Sequence, residues 1–169
     1  GPKRRLVKMV SDNAGHGLEQ LKLKWLSDTD RMETAMSELQ EELSLPRLPH
    51  RIECYDISHI QGTNTVASMS VFQDGKPLSS DYRRFKIKSH DQNDDFASMR
   101  EVLTRRFKRL KNARDGGDEK ASFAATPDLV LIDGGKGQLT QAIEVMLFLG
   151  LQDISLASIA KREEEIFLP

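Results

Sequence analysis

Two aspartates end two strand-like segments that lie far apart in the chain. Asp56 comes near the end of segment 51–57, which is rich in β-forming residues, and Asp133 directly follows the apolar segment 128–132. If these strands are neighbours in one sheet, the two carboxylates lie close together and repel unless a cation neutralises them. Mg²⁺ or Mn²⁺ bound by such oxygen ligands can activate water for phosphodiester cleavage. The pair therefore predicts a metal-dependent nuclease site; a turn-capping role is the alternative for each aspartate.

Three further features could add to this chemistry, and each has a simpler structural explanation. Asp94 and Asp95 open a predicted helix, where they either cap the helix or supply one more acid to the metal site. Lys136, in the turn 134–137 before another helix, either contacts a DNA phosphate or is merely solvated. The turn lacks the spacing of a Walker A loop or a G-x-G-x-x-G fingerprint, so it does not predict a nucleotide-binding loop. His59 is either a general base or a hydrogen-bonded structural residue.

Basic residues form two clusters, although the whole chain has a net charge of −1. The first cluster comprises Arg83, Arg84, Lys86 and Lys88, and the second begins at Arg105 and continues to residue 114. The net charge argues against a protein whose whole surface binds nucleic acid, but a local phosphate-binding face is compatible with these clusters. We therefore take Arg83, Arg84 and Arg105, together with Lys136, as candidate DNA contacts; a solvated surface is the alternative.

The elements that must position these residues follow from the periodicity of the chain. Segment 3–45 is predicted as a helical lead-in with a cap at Ser27 or Asp28 and an apolar stripe that must dock on another surface. Pro46 and Pro49 end this lead-in. Strands are predicted at 51–57, 65–72, 81–87, 128–132 and 154–160, helices at 94–112 and 137–149, and a mobile loop at 113–126.

The order β-β-β-α-β-α-β predicts an α/β fold with a mixed sheet. Three antiparallel strands, the second and third joined through a tight turn at 74–75, come before two crossover units. This is the layout of the RNase H-like fold. We therefore expect a helical lead-in over 1–48 and an RNase H-like domain over 49–169. Gly1 and Pro2 are interpreted as a scar of tag removal and are left out of this prediction.

Composition narrows the class of protein. The chain has 169 residues, enough for one domain with its own core, and 38% of them are hydrophobic, which indicates a folded globular protein. Cys54 is the only cysteine, so no internal disulfide can form and a reducing compartment is favoured. No apolar segment reaches the roughly 20 residues that span a bilayer. We expect a cytoplasmic monomer without a membrane partner.

Five blocks of sequence resemble the C-terminal half of the UvrC family, a nuclease component of the ABC excinuclease. They are RIECYDISH at 51–59, QGT at 61–63, SDYRRF at 80–85, DDFASMREV at 94–102 and LIDGGKGQL at 131–139. The blocks occur in the family's order, which is more specific than any single block. The resemblance covers residues 3 to 169, most weakly in the helical lead-in.

The resemblance implies an RNase H-like endonuclease that acts in nucleotide excision repair. Such a domain uses Mg²⁺ or Mn²⁺ to cut damaged double-stranded DNA on the 5′ side of a lesion, with UvrB and UvrA as partners. It implies that Asp56 and Asp133 are metal-binding catalytic carboxylates and that Asp95 is the further acid needed for incision. The choice of Asp95 over Asp94 rests on the resemblance alone.

The sequence also departs from the family's pattern. We find no counterpart of the GIY-YIG nuclease, of the UvrB-binding segment or of the tandem helix-hairpin-helix module. The family's catalytic histidine lies in a helix beyond the last strand, which this chain, interpreted as C-terminally truncated, is expected to lack. We therefore expect weak Mn²⁺ binding, weak DNA affinity and poor or absent cleavage. The alternatives are a non-catalytic RNase H-like protein-docking module and a different RNase H-like nuclease or recombinase.

Overall fold

The computed structural model describes residues 2, 4, 5, 29–60, 64–88, 94–162 and 165–169. Within these ranges the helices are α1 (Thr29–Glu42), α2 (Asp95–Arg114), α3 (Ala121–Ala124) and α4 (Lys136–Leu149), with a 3₁₀ turn at Ser79–Asp81. The strands are β1 (Arg51–Ile60), β2 (Asn64–Gln73), β3 (Lys76–Pro77), β4 (Arg83–Lys86), β5 (Leu129–Asp133), β6 (Ser155–Ala160) and β7 (Glu165–Phe167). None of the described helices could cross a bilayer. The predicted cap at Ser27 or Asp28, and the block at 61–63, lie outside the described residues.

The strands form a seven-stranded mixed sheet. Its order is β3-β2-β1-β5-β6-β7, and β4 also pairs with β2. β1 is antiparallel to β2 and parallel to β5, and β5 is parallel to β6. An antiparallel meander therefore leads into two crossovers, the first containing α2 and the second containing α4. The prediction of an α/β, RNase H-like mixed sheet preceded by a helix is confirmed.

Each face of the sheet is covered by its own helical layer. On the first face, called the α2/α4 face, Met99 of α2 and Val145 of α4 share a core with Tyr55 and Ile132. On the second, called the α1 face, Leu39 packs in a separate core, whose other buried members are Leu43, Leu45, Ile52, Phe72, Leu129, Leu131, Ala157 and Ile159. Strand side chains alternate between faces, so neighbouring residues of β1 and β5 serve different cores.

The apolar stripe predicted for the lead-in is confirmed along α1. Met32 is 2% exposed, Met36 7%, Leu39 1% and Leu43 7%. Burying one such side chain completely is worth about 1.5–3 kcal/mol, so α1 contributes substantially to the stability of the sheet it covers. The chain leaves the helix as Leu45 donates its backbone N–H to Gln40 O at 2.8 Å.

The third strand predicted at 81–87 is present as β4, and a two-residue strand that the pattern did not indicate comes before it. β2 turns at Asp74 and Gly75, whose φ angles of 53° and 79° are both positive and suit a tight hairpin turn. The returning chain forms only the two residues of β3, which ends at Pro77, and the 3₁₀ turn then interrupts the pairing. It rejoins β2 as β4, with Phe85 opposite Ala67. The predicted meander is therefore correct, with β4 as its third strand, and the two-residue β3 was not predicted.

A buried network of charged side chains fixes β1 to α2. Glu53 and Arg106 are both 0% exposed, and Arg106 Nη2 donates to Glu53 Oε1 at 2.7 Å. The Tyr55 hydroxyl donates to Glu53 Oε2 at 2.6 Å, and Arg51 Nη2 donates to Glu53 Oε1 at 3.2 Å. Removing one partner of such a buried pair costs about 3–5 kcal/mol, because the other charge is left uncompensated.

The same network organises the segment at 113–126, which the sequence predicted to be a mobile loop. Here α2 continues to Arg114, and residues 121–124 form α3, in which Phe123 is 5% exposed. Arg106 donates to the carbonyl oxygens of Phe123 and Ala125, both at 2.8 Å. The predicted loop is present at residues 115–120, but the prediction was wrong for 121–124, because the small polar residues there do not reveal that a buried guanidinium binds the backbone.

Candidate active site

Asp56 and Asp133 lie side by side where the parallel pairing of β1 with β5 ends; Asp133 is the last residue of β5, whereas β1 continues to Ile60. Tyr55 of β1 pairs with Ile132 of β5, so the two aspartates occupy the next position on each strand. Alternation along the strands places both on the α1 face, and their carboxyl groups share a hydrogen bond. The juxtaposition that the sequence predicted is therefore present. We call this end of the sheet the carboxyl edge.

The environment of the pair disfavours two negative charges. Burial, then the hydrogen bond from Asp133, then the charge of Asp133 raise the pKa of Asp56 from 3.8 to about 7. Lys161 and the backbone N–H of Ile57 oppose this rise. Lys161 Nζ lies 2.6 Å from Asp133 Oδ2 and provides the nearby positive charge. At pH 7 Asp56 is therefore protonated in about half of the molecules, as expected for a carboxyl group beside a second one when no cation balances both charges.

The possible metal ligands among the described residues at this edge are few. They suit a divalent ion that keeps most of its bound water better than they suit an ion enclosed by protein ligands. Within 29–60, 64–88, 94–162 and 165–169, no three histidine, cysteine or acidic side chains converge on one point. Mg²⁺ keeps several waters and commonly binds through one or two carboxylates together with substrate phosphates. The Asp133 side chain is 20% exposed, so its carboxylate can be reached from solvent. The residues present therefore fit Mg²⁺ or Mn²⁺ held by Asp56 and Asp133.

Asp95 stands apart from this pair. Asp94 is the N-cap of α2, its carboxylate accepting the Ala97 N–H at 3.0 Å. Asp95 is thereby left for another partner, and its Oδ1 lies 2.8 Å from His59 Nε2. The other ring nitrogen of His59 lies 3.0 Å from Thr65 Oγ1. α2 covers the α2/α4 face, whereas the paired aspartates are on the α1 face, which explains why Asp95 does not join them.

The four basic candidates differ in how freely they present their charge. Lys136 and Arg84 are exposed, and Lys136 Nζ lies 5.4 Å from the centre of the Phe167 ring. Arg83 donates to the carbonyl oxygens of Ser80 and Tyr82 and to Ser122 Oγ. Arg105 donates to Lys86 O at 2.8 Å and lies over the Phe85 ring. The charges of Arg83 and Arg105 are therefore committed within the fold, while those of Arg84 and Lys136 face solvent.

Sequence reasoning missed two residues at the carboxyl edge. Lys161 follows β6, and only the parallel pairing of β5 with β6 brings it to Asp133. Phe96 is 51% exposed and rests against Gly137 at the start of α4. A helical pattern assigns Phe96 to the apolar side of α2, so its exposure could not be seen in the sequence. The only signal in the sequence was Gly137, whose missing side chain leaves room for the ring.

A family model and the sequences of curated relatives point to the same protein family. Residues 40–169 match a family model described as the UvrC RNase H endonuclease domain. The chain is 50% identical over 167 residues to the UvrABC system protein C of Gemmatimonas aurantiaca, covering 99% of this chain and 26% of that protein. It is 47% identical over 169 residues to the same protein of Dehalococcoides mccartyi, covering 100% of this chain and 27% of that protein. The chain thus spans about a quarter of the length of these curated relatives.

Solved structures show a more distant likeness. Ciona intestinalis endonuclease V, in complex with a DNA that contains an inosine followed by a ribo-adenosine, aligns with a TM-score of 0.40 and 16% identity. That alignment covers 76% of this chain and 57% of the other. Human ENDOV aligns with a TM-score of 0.40 and 12% identity, covering 78% of this chain and 58% of the other.

Proposed function

This chain belongs to the UvrC RNase H endonuclease domain family, and on that premise we propose that it is a divalent-metal-dependent DNA endonuclease. The proposed reaction is the 5′ incision of damaged double-stranded DNA in nucleotide excision repair, with UvrB as the direct partner and UvrA acting earlier in the pathway. The observation that carries the proposal is the hydrogen-bonded pair of Asp56 and Asp133 on adjacent parallel strands.

Asp56 and Asp133 would hold Mg²⁺ or Mn²⁺, which when bound supplies Lewis-acid stabilisation of charge on the cleaved phosphate. Asp56 must release its proton before it can act as a ligand, and because its pKa is raised to about 7, metal binding should weaken as the pH falls below neutral. Lys161 orients Asp133 through their ion pair and reduces the repulsion between the carboxylates. Asp95, bonded to His59, is proposed as the further acid and would act from the first turn of α2.

Metal binding is tested by following the thermal unfolding of the chain as Mn²⁺ is added. We expect Mn²⁺ to raise the melting temperature of the wild type, because an ion bound only by the folded state stabilises it. Asp56→Asn and Asp133→Asn should each abolish the rise. Asp74→Asn is the matched control, since the Asp74 side chain is 61% exposed in a turn away from this edge and should leave the response unchanged. If Mn²⁺ does not change the melting temperature of the wild type, the result would instead favour the non-catalytic docking module.

Cleavage is tested on a damaged duplex labelled at the 5′ end, with the same variants. For the isolated chain we expect slow or undetectable nicking, because Asp95 is paired with His59 and not with the other two acids. Whatever nicking occurs should need Mg²⁺ or Mn²⁺ and should disappear in Asp56→Ala. Nicking that persists in that variant at the wild-type rate would contradict the proposed site. Efficient nicking that is lost in Asp56→Ala would show that no further histidine is required.

A further inference from the structure

An exposed aromatic ring lies at the carboxyl edge and is not used by the proposed metal site. Phe96 follows Asp95 in the first turn of α2 and is 51% exposed. Scattered exposed apolar side chains are common on protein surfaces and need no explanation by themselves. Phe96 differs because its position is fixed by close packing against a second element of the site.

Gly137 provides that packing. A Cβ at residue 137 would lie 2.5 Å from Phe96 Cζ and 2.9 Å from Cε1, which is closer than atoms can approach. Only glycine therefore leaves room for the ring where it stands. Gly137 is in the first turn of α4, just after Asp133, and Asp95 is bonded to His59 near the end of β1. The ring thus lies against the start of α4, which follows the strand carrying Asp133, and its neighbour Asp95 is bonded to β1, the strand that carries Asp56.

The surroundings of the ring suit a nucleic acid strand. Lys136, which directly precedes Gly137 in the chain, is exposed, and its Nζ lies 5.4 Å from the centre of the Phe167 ring. A flat aromatic surface next to a cation is the combination with which proteins bind single-stranded nucleic acid, since bases stack on the ring and phosphates contact the cation. A purely structural role is less well supported, because Asp94 already caps α2 and half of the ring contributes to no core.

We propose that Phe96 stacks on an unpaired base next to the scissile phosphate and so fixes the strand relative to Asp56 and Asp133, with Lys136 contacting the adjoining phosphate. The base must be unpaired because the faces of paired bases are covered by their neighbours. The inference deepens the proposed nuclease function and rests on it for the position of the scissile phosphate. The stacking itself can be measured without any cleavage.

The experiment measures anisotropy of a fluorescent single-stranded DNA at low salt in the presence of EDTA. A strand of equal length that carries abasic sites in place of bases serves as the second ligand. We expect Phe96→Ala to weaken binding of the normal strand about 5- to 50-fold and to leave the abasic strand almost unaffected. Phe96→Tyr should bind like the wild type. Gly137→Ala, which retains the ring but displaces it, should also weaken binding of the normal strand.

Two controls separate stacking from folding and from general stickiness. Phe96→Leu keeps an apolar side chain against Gly137 but lacks the aromatic face, and it should bind the normal strand as weakly as Phe96→Ala. Phe148→Ala removes a ring that is 81% exposed near the other end of α4 and should change nothing. Thermal unfolding of each variant shows whether the fold is retained.

The inference is overturned if Phe96→Ala or Phe96→Leu binds the normal strand like the wild type, or if the loss is equal on both strands. It is also overturned if the wild type binds neither strand, or if Phe148→Ala causes the same loss. Because the assay contains EDTA, its outcome does not depend on metal or incision. A failure of the stacking inference would therefore leave the Mn²⁺ response of Asp56 and Asp133 intact, and a failure of the metal site would leave the stacking result intact.

Discussion

Replacing Asp56 by asparagine is expected to stabilise the metal-free chain above neutral pH. The pKa of Asp56 is raised from 3.8 to about 7, so the folded state holds the proton more tightly than the unfolded state does. The resulting stability is fully present below the unfolded pKa and is lost as the pH rises through about 7. The variant does not lose stability in this way as the pH rises, because asparagine is neutral at every pH and can still hydrogen-bond to Asp133.

The size of the effect follows from the pKa. One pKa unit corresponds to about 1.4 kcal/mol, so a rise from 3.8 to about 7 gives an upper limit of about 4 kcal/mol. The carboxyl pair is partly exposed, and solvent screening reduces this to about 1–2 kcal/mol. For a chain of 169 residues, this corresponds to a melting temperature about 2–8 °C higher for Asp56→Asn than for the wild type.

Thermal unfolding in EDTA at pH 5.5 and pH 8.5 provides the assay. The variant should be more stable than the wild type at both pH values, and about half as much at pH 5.5 as at pH 8.5, because pH 5.5 lies about midway between the unfolded pKa of 3.8 and the folded pKa of about 7. Asp153→Asn is the control of opposite sign, since the hydrogen bond and charge of Arg114 lower the pKa of Asp153. The stability due to Asp153 is therefore present above its unfolded pKa, and its loss should slightly destabilise the chain at pH 8.5.

Two results would refute this reasoning. One is an Asp56→Asn variant that is no more stable than the wild type at pH 8.5, or that is stabilised equally at both pH values. The other is a carbon-13 NMR titration in which the Asp56 carboxyl of the metal-free chain titrates near 4. Either result would mean that the two carboxyl groups do not share a proton and that their arrangement does not by itself favour a bound cation.

Two further predictions concern stability. Glu53→Gln should lower the free energy of unfolding in urea by about 3–5 kcal/mol, because Arg106 keeps its charge in a site with 0% exposure. Arg47→Ala, which breaks the exposed pair with Asp128, should cost no more than about 1 kcal/mol. Equal costs for the two variants would contradict this account. Leu39→Ala should cost about 2–5 kcal/mol because it leaves a cavity under α1. Leu147→Ala, at a side chain 60% exposed, should change the unfolding midpoint little.

Features that repeat along the chain could be predicted from the sequence. The apolar β5 and the β-forming residues of β1 indicated that Asp56 and Asp133 lie on neighbouring strands, and α4 ends at Leu149, as predicted for the helix at 137–149. Features that depend on contacts across the sheet could not. Nothing local to Lys161 indicates that it meets Asp133, and Arg106 belongs to a basic run that looks solvated although its guanidinium is buried.

The position of Asp95 shows a related limit. The sequence, and the resemblance to a family, assign a role to a residue without fixing the direction of its side chain. Here an N-cap at Asp94 and a histidine from β1 determine where the Asp95 carboxylate lies. Both partners depend on the packing of α2 against one face of the sheet, which no spacing along the chain encodes.

The Glu53–Arg106 ion pair also protects the alignment of β1. A strand that slips by one residue turns every side chain to the opposite face. For β1, such a slip would carry the Glu53 carboxylate into the layer of Ile52 and Leu129 and would leave the Arg106 guanidinium without a counter-charge. The offset between two strands, and with it the meeting of the acids at their ends, is thereby maintained by a charge pair that never touches DNA. Variation at Arg106 should consequently disturb the meeting of Asp56 and Asp133 from within the protein interior.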